Sequence, residues 1–360
     1  MHSSSVVDAT HRRAGRLRKR GLVYTTDATP GFSRYRRGSG FAYRQANGKA
    51  LRQATHLARI RSLAIPPAWK DVWISPRPDG HLQATGRDAR GRKQYRYHPE
   101  WTALTHETKY SRLVDFATAL PALRRRVAAD LSSRGMPRSK VLALIAHLLE
   151  RTMIRVGNRE YRRANGSFGL TTLLDRHVQI EGCSIRFRFR GKGGKVHDVA
   201  IADPRVARLV RNCQELPGSQ LFQYVDADGQ QQDVGSADVN EYLRSVMGEA
   251  FTAKDFRTWA GTVLAAEALY DVAPGLSRTA AEREVVTAIE AVSGVLGNTR
   301  AVCRRCYVHP TIIEAFLDGG LGRAIRPSLR RRRVEGLRPM EVAVLAFLQR
   351  RLSTGTAKAA

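Results

Sequence analysis

Tyr307 closes the run Gly297-Asn298-Thr299-Arg300-Ala301-Val302-Cys303-Arg304-Arg305-Cys306-Tyr307, behind a polar, arginine-rich turn and ahead of His309-Pro310. A phenol in that setting is poorly placed for a core and well placed to meet a phosphate. About fifty residues upstream lies Lys254-Asp255-Phe256-Arg257-Thr258-Trp259-Ala260-Gly261-Thr262. One arginine to hold a phosphate and one tyrosine to attack it are the minimum for cleaving a phosphodiester through a covalent protein link. Lone arginines on a basic surface usually anchor phosphates, and a lone tyrosine is often a half-buried aromatic. Only joint occurrence gives the pair catalytic meaning.

Composition indicates the partner. The 360-residue chain carries a formal net charge of +29, and about half of that excess lies in residues 1–100. Such a balance is the electrostatic footprint of a nucleic-acid binder. A histone-like protein would share the charge, but 42% hydrophobic residues is more core than a charge sponge needs. The four cysteines are Cys183, Cys213, Cys303 and Cys306. Cys303 and Cys306 form C-x-x-C without a second pair to complete a zinc site, so no metal is expected. There is no Walker A loop, carboxylate cluster, apolar leader or membrane-length apolar stretch, so no cofactor and a reduced, cytoplasmic location are expected.

The elements that would position these residues fall into a tail and two domains. Residues 1–20 are basic and polar and read as a disordered arm. Residues 21–105 read as a β-rich DNA-binding domain: short strands, a helical stretch from Ala50 to Leu63, and a strand pair around Pro78-Asp79-Gly80. Then comes Gly86-Arg87-Asp88-Ala89-Arg90-Gly91-Arg92-Lys93-Gln94-Tyr95-Arg96-Tyr97-His98. Arg92, Lys93, Gln94, Tyr95 and Tyr97 suit a surface where cations meet phosphates and rings meet bases or sugars; a solvated β edge is the alternative.

From residue 106 the period becomes helical. One helix begins with Leu113, Phe116 and Leu120, and a second opens at Pro137 and buries one side through Met153. It delivers Arg155 in R-V-G-N-R-E-Y, followed by Tyr161. Ile185, Phe187 and Phe189 alternate with arginines, and Gly191-Lys192-Gly193-Gly194-Lys195 turns the chain, placing Lys192 at a hairpin tip. Helices are expected near 237–250, 255–270, 279–295, 310–318 and 338–352, with a frayed end from Ser353. Residues 106–330 read as the larger domain and 331–360 as a C-terminal helix and tail, with a hinge near 99–106.

Arg155, Lys192 in R-G-K-G-G-K, Arg257, Asn298 in G-N-T and Tyr307 resemble, in order, the active-site series of type IB DNA topoisomerases in the small poxvirus-like form found in bacteria. The resemblance runs from about Gly21 to Leu321 and includes L-A-I-P-P-A-W at 63–69. It implies an α+β fold in which a β-rich lobe and a mainly helical lobe with a three-stranded insert clamp duplex DNA as a monomer. It also implies relaxation of positive and negative supercoils through a 3′-phosphotyrosyl intermediate, without ATP or metal. Arg155 and Arg257 would hold the non-bridging oxygens, Asn298 would donate to them and Tyr307 would attack. Lys192 would protonate the departing 5′ oxygen. Lys254 would assist, and Tyr161 would contact the DNA backbone. Viral and nuclear relatives usually carry histidine where this chain has Asn298.

Two other classes remain open at this point. A tyrosine recombinase uses similar chemistry, but normally shows H-x-x-R at the second arginine and a helical N-terminal domain. An architectural DNA binder explains the charge but not the ordered tyrosine site.

Overall fold

The structure, a computed structural model, describes residues 20–226, 228–331 and 333–357. The expected basic arm therefore lies almost wholly outside the described residues. By internal contacts the chain divides between Lys109 and Tyr110.

In the first unit, β1 (Phe32–Arg37), β2 (Gly40–Arg44), β3 (Lys70–Ile74), β4 (Leu82–Arg87) and β5 (Lys93–Tyr97) form one antiparallel sheet in the order β2-β1-β3-β4-β5. The expected strand pair is present as β3 and β4, with Trp73 opposite Thr85 and Ile74 opposite Ala84. Helix α1 (Ala54–Ser62) contributes Ile60 to a small core with Phe32, Leu51, Val72, Ile74 and Ala84. The helical stretch is shorter than expected because Leu51 still belongs to an extended segment, its N–H donating to the Tyr43 carbonyl. The L-A-I-P-P-A-W segment is gathered around Arg34, whose guanidinium donates to the carbonyls of Ile65, Pro66 and Trp69 at 3.2, 3.0 and 2.7 Å.

Helix α2 (Pro99–Leu131) starts at a proline, a residue whose missing N–H costs nothing in a first turn. Residues 99–106, read as a hinge, are helical, and the division between the units falls just beyond them. The second unit continues with α3 (Arg138–Thr152) and α4 (Arg159–Asn165). A three-stranded antiparallel sheet follows, of β6 (Val178–Glu181), β7 (Ser184–Arg190) and β8 (Val196–Ala202). After α5 (Pro204–Gln214) come the short pair β9 (Gln223–Val225) and β10 (Gln231–Asp233). The rest is helical: α6 (Ser236–Met247), α7 (Ala253–Tyr270), α8 (Arg278–Leu296), α9 (Arg300–Cys306), α10 (Pro310–Leu317), α11 (Leu321–Arg331) and α12 (Pro339–Ala357). Such a mixture is α+β.

Helix α3 is the centre of the second unit. The spacing implied one buried side, yet Val141 to Ala146, Leu148 and Leu149 are all buried, so the helix is covered nearly all round. The insert follows its alternation: Ile185, Phe187 and Phe189 point into the core while Arg186, Arg188 and Arg190 face out. Helix α12 is not a loose tail. Ala343, Val344, Phe347 and Leu348 join the same core as α3, and the helix extends through Ala357 rather than fraying at Ser353.

Candidate active site

Arg155 follows the end of α3, where Met153 takes a left-handed backbone (φ 55°) and turns the chain out of the helix. The next residues run extended against a neighbouring segment: the Arg155 carbonyl accepts from Leu170 N–H at 2.9 Å and that of Val156 from Thr171 N–H at 2.7 Å. Gly169 must be a glycine, because a Cβ there would stand 2.6 Å from the Arg155 carbonyl oxygen. The half-buried Arg155 side chain thus leaves a fixed backbone.

Arg257 lies on α7 and is only 3% exposed. Its guanidinium donates to the carbonyls of Met153 and, at 2.5 Å, Leu296, so it joins the ends of α3 and α8. Burial, and then the charge of Arg155, lower its pKa to about 10, which leaves it protonated at neutral pH. The Tyr307 ring faces this cation, 5.2 Å from guanidinium carbon to ring centroid. Tyr307 caps the C-terminal end of α9, and its backbone rests on α7. A Cβ on Gly261 would stand 2.7 Å from the Tyr307 carbonyl oxygen, and Thr262 donates to that oxygen at 3.3 Å. The A-G-T end of the arginine motif is therefore the seat of the tyrosine. On the other side, the Tyr110 hydroxyl is shared between the carbonyls of Arg305 (3.1 Å) and Val308 (2.9 Å). Burial pushes that phenol up to about 12, which suits a clasp rather than a nucleophile.

Asn298 follows the C-terminal end of α8. Gly297 takes the left-handed turn (φ 57°), and Asn298 N–H then closes onto the Ser293 carbonyl at 3.1 Å. Its Oδ1 accepts from Arg155 Nη2 at 2.5 Å. Arg155 Nη1, Arg257 Nε and Asn298 Nδ2 are buried without a hydrogen-bond partner among the described residues. Three separate segments of the chain thus supply these donors, with the Arg257 guanidinium facing the Tyr307 ring.

Lys192 is exposed at the β7–β8 tip, in a tight loop where Gly193 and Gly194 both have positive φ and Gly191 N–H donates to the Lys195 carbonyl at 2.7 Å. The loop is docked, because Lys195 Nζ donates to the Asn298 carbonyl at 3.0 Å. Lys254 is exposed in the first turn of α7, whereas Arg257, one turn on, is buried. Tyr161 is 60% exposed on α4.

On the edge strand β5, Tyr95 and Tyr97 are exposed and stacked, with centroids 5.9 Å apart. The polar members of that motif are already engaged. Arg92 pairs with Asp88 at 2.6 Å, Gln94 donates to Asp88 at 2.9 Å, and Lys93 pairs with Asp27 at 2.5 Å. The arginine beside Asp88 holds its carboxyl down at about 2. Two charged sites are thus pre-ordered by acids that sequence reading left unused.

Sequence reasoning missed the seat made by Gly261 and Thr262, although both stand inside the motif that carries Arg257. It also missed His197 on β8, which packs against Gly297, and Glu341 on α12, which holds Trp259 of the same motif. Neither shows a spacing that could have revealed it.

A model of the eukaryotic DNA topoisomerase I catalytic core matches residues 99–318, and one of the bacterial DNA topoisomerase IB N-terminal domain matches residues 40–88. The DNA topoisomerase 1B of Acanthamoeba polyphaga mimivirus is 30% identical over 293 residues, covering 79% of this chain and 87% of the viral protein. That of vaccinia virus (strain Copenhagen) is 19% identical over 266 residues, covering 73% of this chain and 79% of the relative. With its core and N-terminal segment both matched, the chain belongs to the type IB DNA topoisomerases, enzymes that act on DNA.

Proposed function

We propose that this topoisomerase relaxes both positive and negative supercoils by transient cleavage of one strand through a 3′-phosphotyrosyl link to Tyr307. The observation that carries this reading is the set of three unpartnered donors on Arg155, Arg257 and Asn298, with Arg155 bonded to Asn298 and the Arg257 guanidinium facing the Tyr307 ring. A phosphodiester carries one negative charge, and two of its oxygens can accept those donors. Attack by Tyr307 Oη forms one P–O bond and breaks the bond to the 5′ oxygen. The non-bridging oxygens gain charge on the way, and two guanidiniums in a partly dry site stabilise that charge strongly. Lys192 Nζ gives the leaving oxygen its proton, and the phenol proton passes to solvent. Because one ester replaces another, rejoining reverses the same steps and needs no nucleotide.

The enzyme acts as a monomer whose two units close around the duplex in the nucleoid, with Arg92, Lys93, Gln94, Tyr95, Tyr97, Tyr161 and Lys254 as DNA contacts. No helix among the described residues is long and apolar enough to cross a membrane. The two arginines supply the positive charge that other phosphoryl-transfer enzymes take from metal ions.

Three measurements test the reading. Relaxation of both supercoil signs should proceed in excess EDTA without ATP; an absolute need for Mg²⁺ or nucleotide overturns it. Tyr307→Phe should abolish denaturant-trapped covalent complexes while leaving non-covalent DNA binding within about 2-fold of wild type, since one oxygen is lost without charge. Wild-type complexes should carry the DNA 3′ end; a 5′ linkage would assign the protein a different chemistry.

A further inference from the structure

We propose that His197 is a positioning residue for Lys192: its imidazole is a wedge that sets the β7–β8 tip in register with the Gly297–Asn298 turn. The inference rests on the reading of Lys192 as the donor to the leaving 5′ oxygen. His197 lies on β8 and stacks on Phe189 of β7, with centroids 5.1 Å apart and planes 8° from parallel. Phe189 is buried in the core of the second unit, so the imidazole has a rigid backing.

The two glycines that the ring touches belong to the two segments it would align. A Cβ on Gly297, the residue before Asn298, would stand 2.6 Å from His197 Cε1. A Cβ on Gly191, the residue before Lys192, would overlap His197 Cδ2. Gly297 needs its glycine for a left-handed backbone as well, whereas Gly191 has φ −98°, which any residue adopts. At Gly191, then, the ring is the constraint that excludes a side chain. A second fastener lies beside the wedge, where Lys195 Nζ meets the Asn298 carbonyl.

The ring is also compatible with its electrostatic surroundings. Burial, and after it the charges of Arg155, Arg257 and Lys195, lower the His197 pKa, so the ring is neutral at pH 7 and above. A permanently charged side chain in this place would repel the cations that the phosphate must meet. An aliphatic chain would lack the flat face that slides between two glycines. The imidazole joins the proton donor to the oxyanion donors and adds no charge.

A wedge for the proton donor makes a prediction that a general role in folding does not. Single-turnover cleavage is measured with an ordinary DNA strand and with one whose scissile 5′ oxygen is replaced by sulfur. A thiolate, whose conjugate acid has a pKa near ~8.5, leaves without a proton. Lys192→Ala serves as the control and should be slow on the oxygen strand and restored on the sulfur strand. His197→Ala should be slowed about 10-fold or more on the oxygen strand, a fraction of what general acids contribute, and be restored to within about 3-fold of wild type on the sulfur strand. Equal slowing on both strands, or no slowing on either, overturns the role of His197. Failure of sulfur to restore Lys192→Ala overturns the underlying reading of Lys192 instead.

Gly191→Ala keeps the proposal testable should the histidine variant fold poorly. Its methyl meets the ring, so it should reproduce the oxygen-specific defect. The double variant Gly191→Ala/His197→Ala should be no slower than either single variant, because the methyl then has room. Additive defects in the double variant would show that the two positions do not act through one contact.

Discussion

At the scale of single residues, the resting site holds donors that a folded protein normally avoids leaving unanswered. A buried polar group without a partner costs about 1–3 kcal/mol, and this site has one on each of Arg155, Arg257 and Asn298. Their orientations are dictated by chemistry. Arg155 can only donate, so the Asn298 atom facing it must be Oδ1, which aims Nδ2 away from Arg155 as a further donor. Asn298→Ala should therefore slow cleavage and rejoining together, by about 10²–10³-fold if the loss matches that of other oxyanion donors. Asn298→Gly should be equally slow, because the left-handed turn belongs to Gly297 and Asn298 has no positive φ for glycine to relieve. Asn298→His should keep much of the activity, since a ring N–H can donate from the same place. Single-turnover rates for the three variants check this; a fast Gly variant would contradict the donor role. Arg257 offers a pH test. Burial and Arg155 bring it down to about 10, still charged at pH 8. A lysine in its place starts from a lower pKa and suffers the same downward push. Arg257→Lys should thus be slow and lose further activity as pH rises through neutrality, whereas wild type should not decline in that window.

At the scale of elements, the helix carrying Arg257 and Tyr307's seat is held from behind by α12. Glu341, fully buried, accepts from Trp259 Nε1 at 3.2 Å, from Arg124 at 2.8 Å through both terminal nitrogens, and from Arg338. Desolvation opposes the charge, but hydrogen bonds from Arg124 and Arg338 outweigh it and hold the carboxyl down at about 2. A folded-state pKa below the ordinary 4.5 means that this stabilisation is complete above that value and disappears as pH falls from there toward 2. Glu341→Ala leaves the indole without its acceptor and Arg124 with only Glu150 and the Gly336 carbonyl, and should cost about 1–3 kcal/mol in urea unfolding at pH 7. The difference from wild type should shrink as the pH is lowered below 4.5; a pH-independent difference would mean that packing, not charge, holds α12. The sequence reveals this level unevenly. Strand alternation in β7 is visible because only one face is buried, and the arginine and tyrosine motifs are visible because each is contiguous. Helices α9 and α11 escaped because the first has seven residues and the second contains Pro327. Glu341 and His197 escaped for a different reason. Each acts on a partner at least eighty residues away in the chain, and no local period records such a pairing.

At the scale of the whole molecule, a charge of +29 makes DNA affinity largely a matter of displaced counterions. Not every basic side chain contributes in the same way. Lys93 and Arg92 are paired with Asp27 and Asp88 in the free protein, so binding a phosphate there exchanges one anion for another. Lys254 is exposed at the start of α7, close in sequence to Arg257. Tyr95 and Tyr97 offer flat, neutral faces. These differences separate in a salt titration. The slope of log affinity against log salt falls by about 0.9 for each duplex phosphate contact removed. Lys254→Ala should therefore weaken binding and flatten the slope by about that amount. Tyr95→Ala should weaken binding through the loss of a neutral contact to the sugar or groove edge, and leave the slope unchanged. Asp88→Asn frees Arg92 and removes an anion from the motif, so it should tighten binding at low salt and steepen the slope. Equilibrium binding to a short duplex over a range of sodium chloride measures all three. A flattened slope for Tyr95→Ala, or an unchanged one for Lys254→Ala, would reverse the division between residues that meet phosphate and residues that meet the rest of the nucleotide.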